Sequence, residues 1–207
     1  MNKLLLPILI ILSLPLVFQS TPTEILKLKI FDAFVTTQEP SGNFVILNIT
    51  EEDVAREGGW PLPRTRLAQI QVDLINEGAI GIGWVMSFPQ PDRMGGDKVF
   101  AKTLKYIPSV LSVFESENGQ YPKTTGTVIL GNDVQGFISP GVVENIPPLI
   151  ESATQGISTA PVDVDQLVRR IPLLVKTPEG YASSFGTEVL KTLTGAKTYI
   201  IKTNDNG

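Results

Sequence analysis

Gly58–Arg93 reads GGWPLPRTRLAQIQVDLINEGAIGIGWVMSFPQPDR, a proline-bracketed turn, an amphipathic helix and an apolar strand joined without a break. Pro61 and Pro63 hold φ at about −65° and keep Leu62 out of the helical region, so the chain stays extended until Pro63 or Arg64 opens a helix. Beyond that point Leu67, Ile70 and Leu74, with Ala68, Val72 and Ile75, fall at helical spacing, and Arg66, Gln69, Asp73 and Asn76 stand between them. Gly78 supplies a left-handed stop. Ala79–Met86 then runs apolar with small residues, the composition of a strand covered on both faces in a parallel sheet. Gly78, Gly81 and Gly83 start and interrupt that strand instead of linking strand to helix, so they read as sites of close helix packing and not as a phosphate loop.

The flanking sequence extends the pattern. Ile25, Leu28, Phe31 and Val35 place a helix over Glu24–Phe34, and Thr36–Asn43 ends it with Pro40 and Gly42. Phe44–Ile49 reads as an apolar strand and Glu51–Arg56 as a short helix or turn. Asp97 is the expected N-cap of a helix carrying Phe100, Ala101 and Leu104, and Ser109–Phe114 is the next strand. This alternation predicts an α/β fold, a three-layer sandwich with a mainly parallel sheet and helices on both faces. The second half is less regular. Glu115–Thr127 and Gly131–Gly141 read as loops flanking a short strand at Val128–Leu130, Pro147 and Pro148 open a brief helix through Ala153, and Gln155–Ser158 is a strand. Thr177–Gly180 forms the turn of a hairpin between Ile171–Lys176 and Tyr181. Phe185, Val189 and Leu193 mark a helix closed by Gly195, before a last strand at Lys197–Lys202.

Gly58 or Gly59, Trp60-Pro61, Arg64, Leu67, Ala68, Leu74, Gly78, Phe88 and Pro91 together resemble the type-2 CHASE domain, an extracellular sensing module of bacterial cyclases and histidine kinases. Leu62 stands where that family has a second tryptophan, Asn48 and Thr50 replace two acids of its first strand, and Trp84 replaces the acid of its second. A second block, Val162–Leu173, resembles the family's Asp-x-Asp-Gly-x-x-Arg-x-x-Pro-Leu through Asp163, Asp165, Arg169, Pro172 and Leu173, with Gln166 in place of glycine. The resemblance spans Leu26 to Ile201. It implies a sensor of a small ligand or periplasmic partner, an uncleaved membrane anchor, a homodimer, and further strand, membrane spans and an effector beyond Gly207.

Composition bounds the function. The 207 residues carry 17 Lys and Arg against 21 Asp and Glu, a net charge of −4, and a pI near 4.9. No basic block is present, which excludes a nucleic-acid surface of the usual clustered kind. With 0 Cys and 0 His there is no thiolate nucleophile, imidazole base, disulfide, or His or Cys metal ligand. Leu4–Phe18 is apolar apart from Pro7, Ser13 and Pro15; as a helix it spans roughly 22 Å, short of the ~30 Å hydrocarbon core. Phe18-Gln19-Ser20 lacks the small residues of a signal-peptidase site. Length favours a signal segment and the missing cleavage site an anchor; the resemblance implies that residues 1–22 are a membrane anchor, or else a signal segment, and residues 23–207 an extracytoplasmic domain lacking its C-terminal end, with the N-terminus inside a bacterial cell.

Trp60 and Arg64 offer an aromatic plane and a bidentate donor that could cradle a carboxylate or a sugar. Against this, a large aromatic beside paired prolines commonly plugs a domain edge, with the arginine on a loop carbonyl or on Asp92, and packing is the preferred account. The ligand-contact candidates are Trp60, Arg64, Trp84 and Asp92; no catalytic, cofactor or metal set is assigned. Asp92, Asp97, Asp163 and Asp165 do not have the spacing of a calcium loop, and Glu51 with Glu52 or Asp163 with Asp165 read as solvated acids. Asn48-Ile49-Thr50 fits a glycosylation sequon at an expected buried strand end. The leading reading is a non-enzymatic sensor domain, its rivals a carboxylate-dependent periplasmic hydrolase and a ligand-free scaffold.

Overall fold

The computed structural model describes residue 13 and residues 21–36, 39, 41–132 and 136–203. The chain divides into two compact units, one of Met1–Asn48 with Val162–Arg169, the other of Ile49–Pro161 with Arg170–Gly207.

In the first unit, α1 spans Thr21–Phe34, with Leu28 buried. The strand read at Phe44–Ile49 is a correction: residues 44–48 carry no strand pairing, and Val45 and Ile46 are 84% and 86% exposed. A run of apolar residues specifies a demand for burial; a strand also needs a hydrogen-bonded neighbour, which composition does not name. Asn48, expected to be buried, is exposed. Among the described residues no helix is long and apolar enough to cross a membrane. Leu4–Phe18, apart from Ser13, lies outside the described residues, as do Pro40 and 204–207.

The second unit is the α/β body. Its elements are α2 (Glu51–Arg56), α3 (Arg64–Asn76), β1 (Ile82–Trp84), α4 (Asp97–Leu104), β2 (Ser109–Gln120), β3 (Gly126–Leu130), β4 (Val142–Val143), α5 (Pro147–Ile150), β5 (Thr154–Ile157), β6 (Leu174–Thr177), β7 (Gly180–Ser183), α6 (Phe185–Thr194) and β8 (Thr198–Lys202). β1 and β5 flank β2 in parallel, with Trp84 beside Leu111 and Leu111 beside Gln155. β4 joins the distal part of β2 in antiparallel fashion. β3 pairs with β8 in parallel, and β6 with β7 as the expected hairpin.

Parallel register puts paired residues on the same face, and this separates the two helical layers. Trp84 and Leu111 pack with Leu67, Phe100, Leu104 and Leu149 of α3, α4 and α5. On the opposite face Gly83 and Gly156 lie under α6: a Cβ at Gly83 would stand 2.8 Å from the Phe185 ring, and one at Gly156 would stand 2.6 Å from the Phe185 Cα. Gly83 in β1 and Gly81 just before it thus serve close helix packing as expected, against α6, whereas Gly78 has open space around it and serves only as the left-handed stop. Val113, Val142, Ile157, Val175 and Ala182 form a second core where the sheet meets the hairpin.

Three local expectations change. β1 has three residues, of which Trp84 alone is buried, because it is an edge strand paired only with β2. β2 continues to Gln120 through a segment whose polar composition reads as a loop, since its far half is paired to β4. Gly96, not Asp97, is the N-cap of α4. A Cβ at Gly96 would stand 2.6 Å from the Thr65 nitrogen, so the chain crosses the start of α3 there at glycine distance.

Candidate functional site

Pro63 is the N-cap of α3 and offers no side-chain cap. The opening N–H of the helix, from Arg64, donates instead to Asp92 Oδ2 at 3.0 Å. Asp92 also accepts from Met94 at 3.1 Å and Gly96 at 3.0 Å, and its own N–H donates to Asp97 Oδ2 at 2.8 Å. Burial pushes the Asp92 carboxyl up, but these three N–H groups and the Arg64 charge outweigh it and hold it below the ordinary aspartate value. One carboxylate therefore ties the 88–97 loop to the positive end of α3.

The Arg64 side chain lies over the Phe88 ring, 4.2 Å from guanidinium carbon to centroid. Its acceptor in the protein is Gln90 O, 3.5 Å from Nη2. Nε stands 3.5 Å from Asp97 Oδ1 without hydrogen-bond alignment, and both atoms are buried and unpartnered. Arg64 as a residue is only 9% exposed. Burial pushes its guanidinium below the ordinary arginine value against the pull of Asp97 and Asp92. Phe88 is itself fixed, its N–H donating to Asn145 Oδ1 at 2.6 Å and its carbonyl accepting from Ile146 at 2.9 Å.

Above Arg64 is a cavity of about 480 Å³ bounded by the Gly58–Arg64 turn and the Met86–Met94 loop. Trp60 stands at this cavity 61% exposed, so it does not plug an edge. The Trp60–Pro61 peptide is cis. Trp60, Arg64 and Asp92 share the cavity lining; Trp84 does not. The pleat turns Trp84 toward α3, where its indole N–H donates to Gln71 Oε1 at 2.8 Å and its ring meets Phe100 edge-on at 5.4 Å. Gln71, fully buried, passes the chain on by donating to Ser109 Oγ at 2.9 Å.

The Asp163–Arg169 block has a different construction. Arg169 Nε and Nη2 donate to Asp32 Oδ1 and Oδ2, each at 2.8 Å. Nη1 and Nη2 donate to Asp165 at 2.8 and 2.7 Å, and Nη1 also to Asp163 at 3.0 Å. Hydrogen bonding from Arg169 lowers the Asp165 carboxyl to about 2. Gln166, with φ of 67°, adopts the left-handed conformation its family glycine would take without strain.

The family model of the CHASE2 domain matches residues 7–205, across both blocks. The chain belongs to the CHASE2 family. CHASE2 domains are extracellular sensory domains of signal-transduction proteins, and they are not catalytic. Neither the curated proteins nor the solved structures compared with this CHASE2 domain gave a match.

In this CHASE2 domain two residues that build these arrangements could not be placed from the sequence. Phe88 was legible only as a motif position, and its place beneath Arg64 depends on Asn145, 57 residues away. Asp32 could be recognised as the partner of Arg169 only in three dimensions, across 137 residues. A second cavity, of about 210 Å³, is lined by Glu188, Lys191 and Thr125. Its polar groups answer one another, Lys191 Nζ donating to Thr125 Oγ1 at 2.9 Å and to the buried Glu188 carboxylate at 3.2 Å.

Proposed function

We propose that this CHASE2 domain is the sensing part of a membrane-bound signalling protein of the cyclase or histidine-kinase type, held outside the membrane by an anchor in Leu4–Phe18 and working as a homodimer. Its ligand site is the cavity at Trp60 and Arg64. The observation that carries this reading is the buried Arg64 guanidinium, whose donors are largely unfilled by the protein and which lies in the wall of an open cavity next to an exposed tryptophan. A concavity that brings a few polar groups together with apolar and aromatic side chains is the ordinary build of a small-molecule site.

Sensing requires two states of unequal ligand affinity. The Arg169 clamp holds α1 through Asp32, and residues 170–173 continue from it to β6, so α1 and this connection are the elements through which a signal would be passed. A hydrolase reading finds no support at the cavity, because both carboxylates that line it are engaged, Asp92 by the N–H groups of Arg64, Met94 and Gly96 and Glu57 by Arg66. Thermal-shift screening of the full chain against charged and neutral small metabolites tests the assignment. A binder should raise the melting temperature, and Trp60→Ala should remove the shift. A stabilising compound that binds Trp60→Ala as well as the parent would move the site elsewhere.

A further inference from the structure

We infer that the cavity takes a small monocarboxylate with an apolar or aromatic body, an assignment that rests on the ligand-sensor reading and narrows it. The chain contains its own reference for a structural arginine. A guanidinium has five N–H donors, and Arg169 places all five on Asp32, Asp163 and Asp165 at 2.7–3.0 Å. Arg64 is nearly as enclosed, yet a single carbonyl at 3.5 Å is its acceptor and its Nε is a buried orphan. Leaving a buried charge so poorly bonded is unfavourable, and an oxyanion entering the cavity supplies what the protein does not.

Hydrogen-bond occupancy singles out Arg64 as the group short of acceptors. Asp92 is occupied by the N–H groups of Arg64, Met94 and Gly96, and Asp97 Oδ2 by the Asp92 N–H, while Asp97 Oδ1 faces Arg64 Nε at 3.5 Å without a hydrogen bond. The Arg64 fork is the buried cationic group left for an incoming carboxylate; Arg93, also in the lining, is exposed to solvent. One side of the lining, with Trp60, Leu62, Met86 and Met94, is apolar and suits a hydrocarbon or aryl body lying against the indole, while Glu57 and Arg93 make the rest of the wall polar. A volume of about 480 Å³ admits a molecule of that size.

The test uses the full chain with phenylacetate, hexanoate and the neutral isostere phenylacetamide. Titration followed by the arginine Nε–Hε resonances should show the acids shifting Arg64 and leaving Arg169 in place. Phenylacetamide should bind about tenfold more weakly or less. Arg64→Lys, which keeps the charge and loses the fork, should weaken the acids by a similar factor, whereas Asp97→Asn, which removes a negative charge facing Nε, should tighten them. An amide that matches the acid, or an Arg64 resonance that stays still at saturation, overturns the assignment. Should a neutral compound bind through Trp60 while neither acid does, the carboxylate class falls and the sensor reading stands; no binder of either kind removes both.

Discussion

Arg169 grips Asp32 edge to edge, with two parallel N–H···O bonds of 2.8 Å, and through that fork α1 is bonded to a segment 137 residues further along the chain. The same guanidinium holds Asp165 with a second fork. Hydrogen bonding from Arg169 is the largest cause keeping Asp165 at about 2 instead of its ordinary 3.8. A carboxyl lowered on folding contributes stability that is complete above its unfolded value and is lost as pH falls through the folded one. Acid titration followed by circular dichroism should therefore show loss of stability beginning near 3.8 and continuing toward 2. Asp165→Asn should remove part of that dependence; an unchanged profile would break the link between the clamp and acid stability.

Gln166 occupies a left-handed turn position, φ 67°, with its N–H donating to Asp163 O at 2.9 Å. A Cβ there costs about 1–2 kcal/mol, partly offset in glycine by greater unfolded-state freedom. Gln166→Gly should accordingly be more stable than Gln166→Ala by about 1 kcal/mol in urea denaturation. Equal midpoints would mean that the turn relaxes at no cost.

The Trp84–Gln71–Ser109 chain crosses the core between β1, α3 and β2. Gln71→Met keeps volume but orphans the Trp84 N–H, at a cost of about 1–3 kcal/mol. Adding Trp84→Phe removes the orphan donor, so the double variant should lose less than the sum of the single ones. Strict additivity in a double-mutant cycle would show that the hydrogen bond contributes nothing.

Gly156 and Gly186 make opposite predictions. A Cβ on Gly156 would stand 2.6 Å from the Phe185 backbone, while Gly186, in α6, has open space around it. Gly156→Ala should destabilise by about 1–3 kcal/mol through displacement of α6. Gly186→Ala should stabilise by about 0.5 kcal/mol. Thermal melts of the two variants shifting in the same direction would contradict the packing of α6 on the sheet.

Much of the fold was legible because its signals are local. The α3 stripe, the left-handed stop at Gly78 with φ of 96°, the Thr177–Gly180 hairpin and the Gly195 cap are decided within a few residues of chain. The parallel alternation followed from those elements. Strand extents were less accessible: the far half of β2 and the unpaired 44–48 run differ from expectation because a strand ends where its partner ends. At the site, Trp60, Arg64 and Asp92 could be nominated from residue type and proximity to the proline turn. Trp84 could not be separated from them until the pleat direction was known.

The sequence by itself determined the family, the α/β alternation and the two motif blocks, since these reside in short-range spacing and in backbone restrictions of proline and glycine. Tertiary structure alone decided that Arg169 is saturated while Arg64 is left wanting acceptors. A side chain's bonding state depends on atoms brought near it by folding, and those atoms lie tens to more than a hundred residues away in the chain.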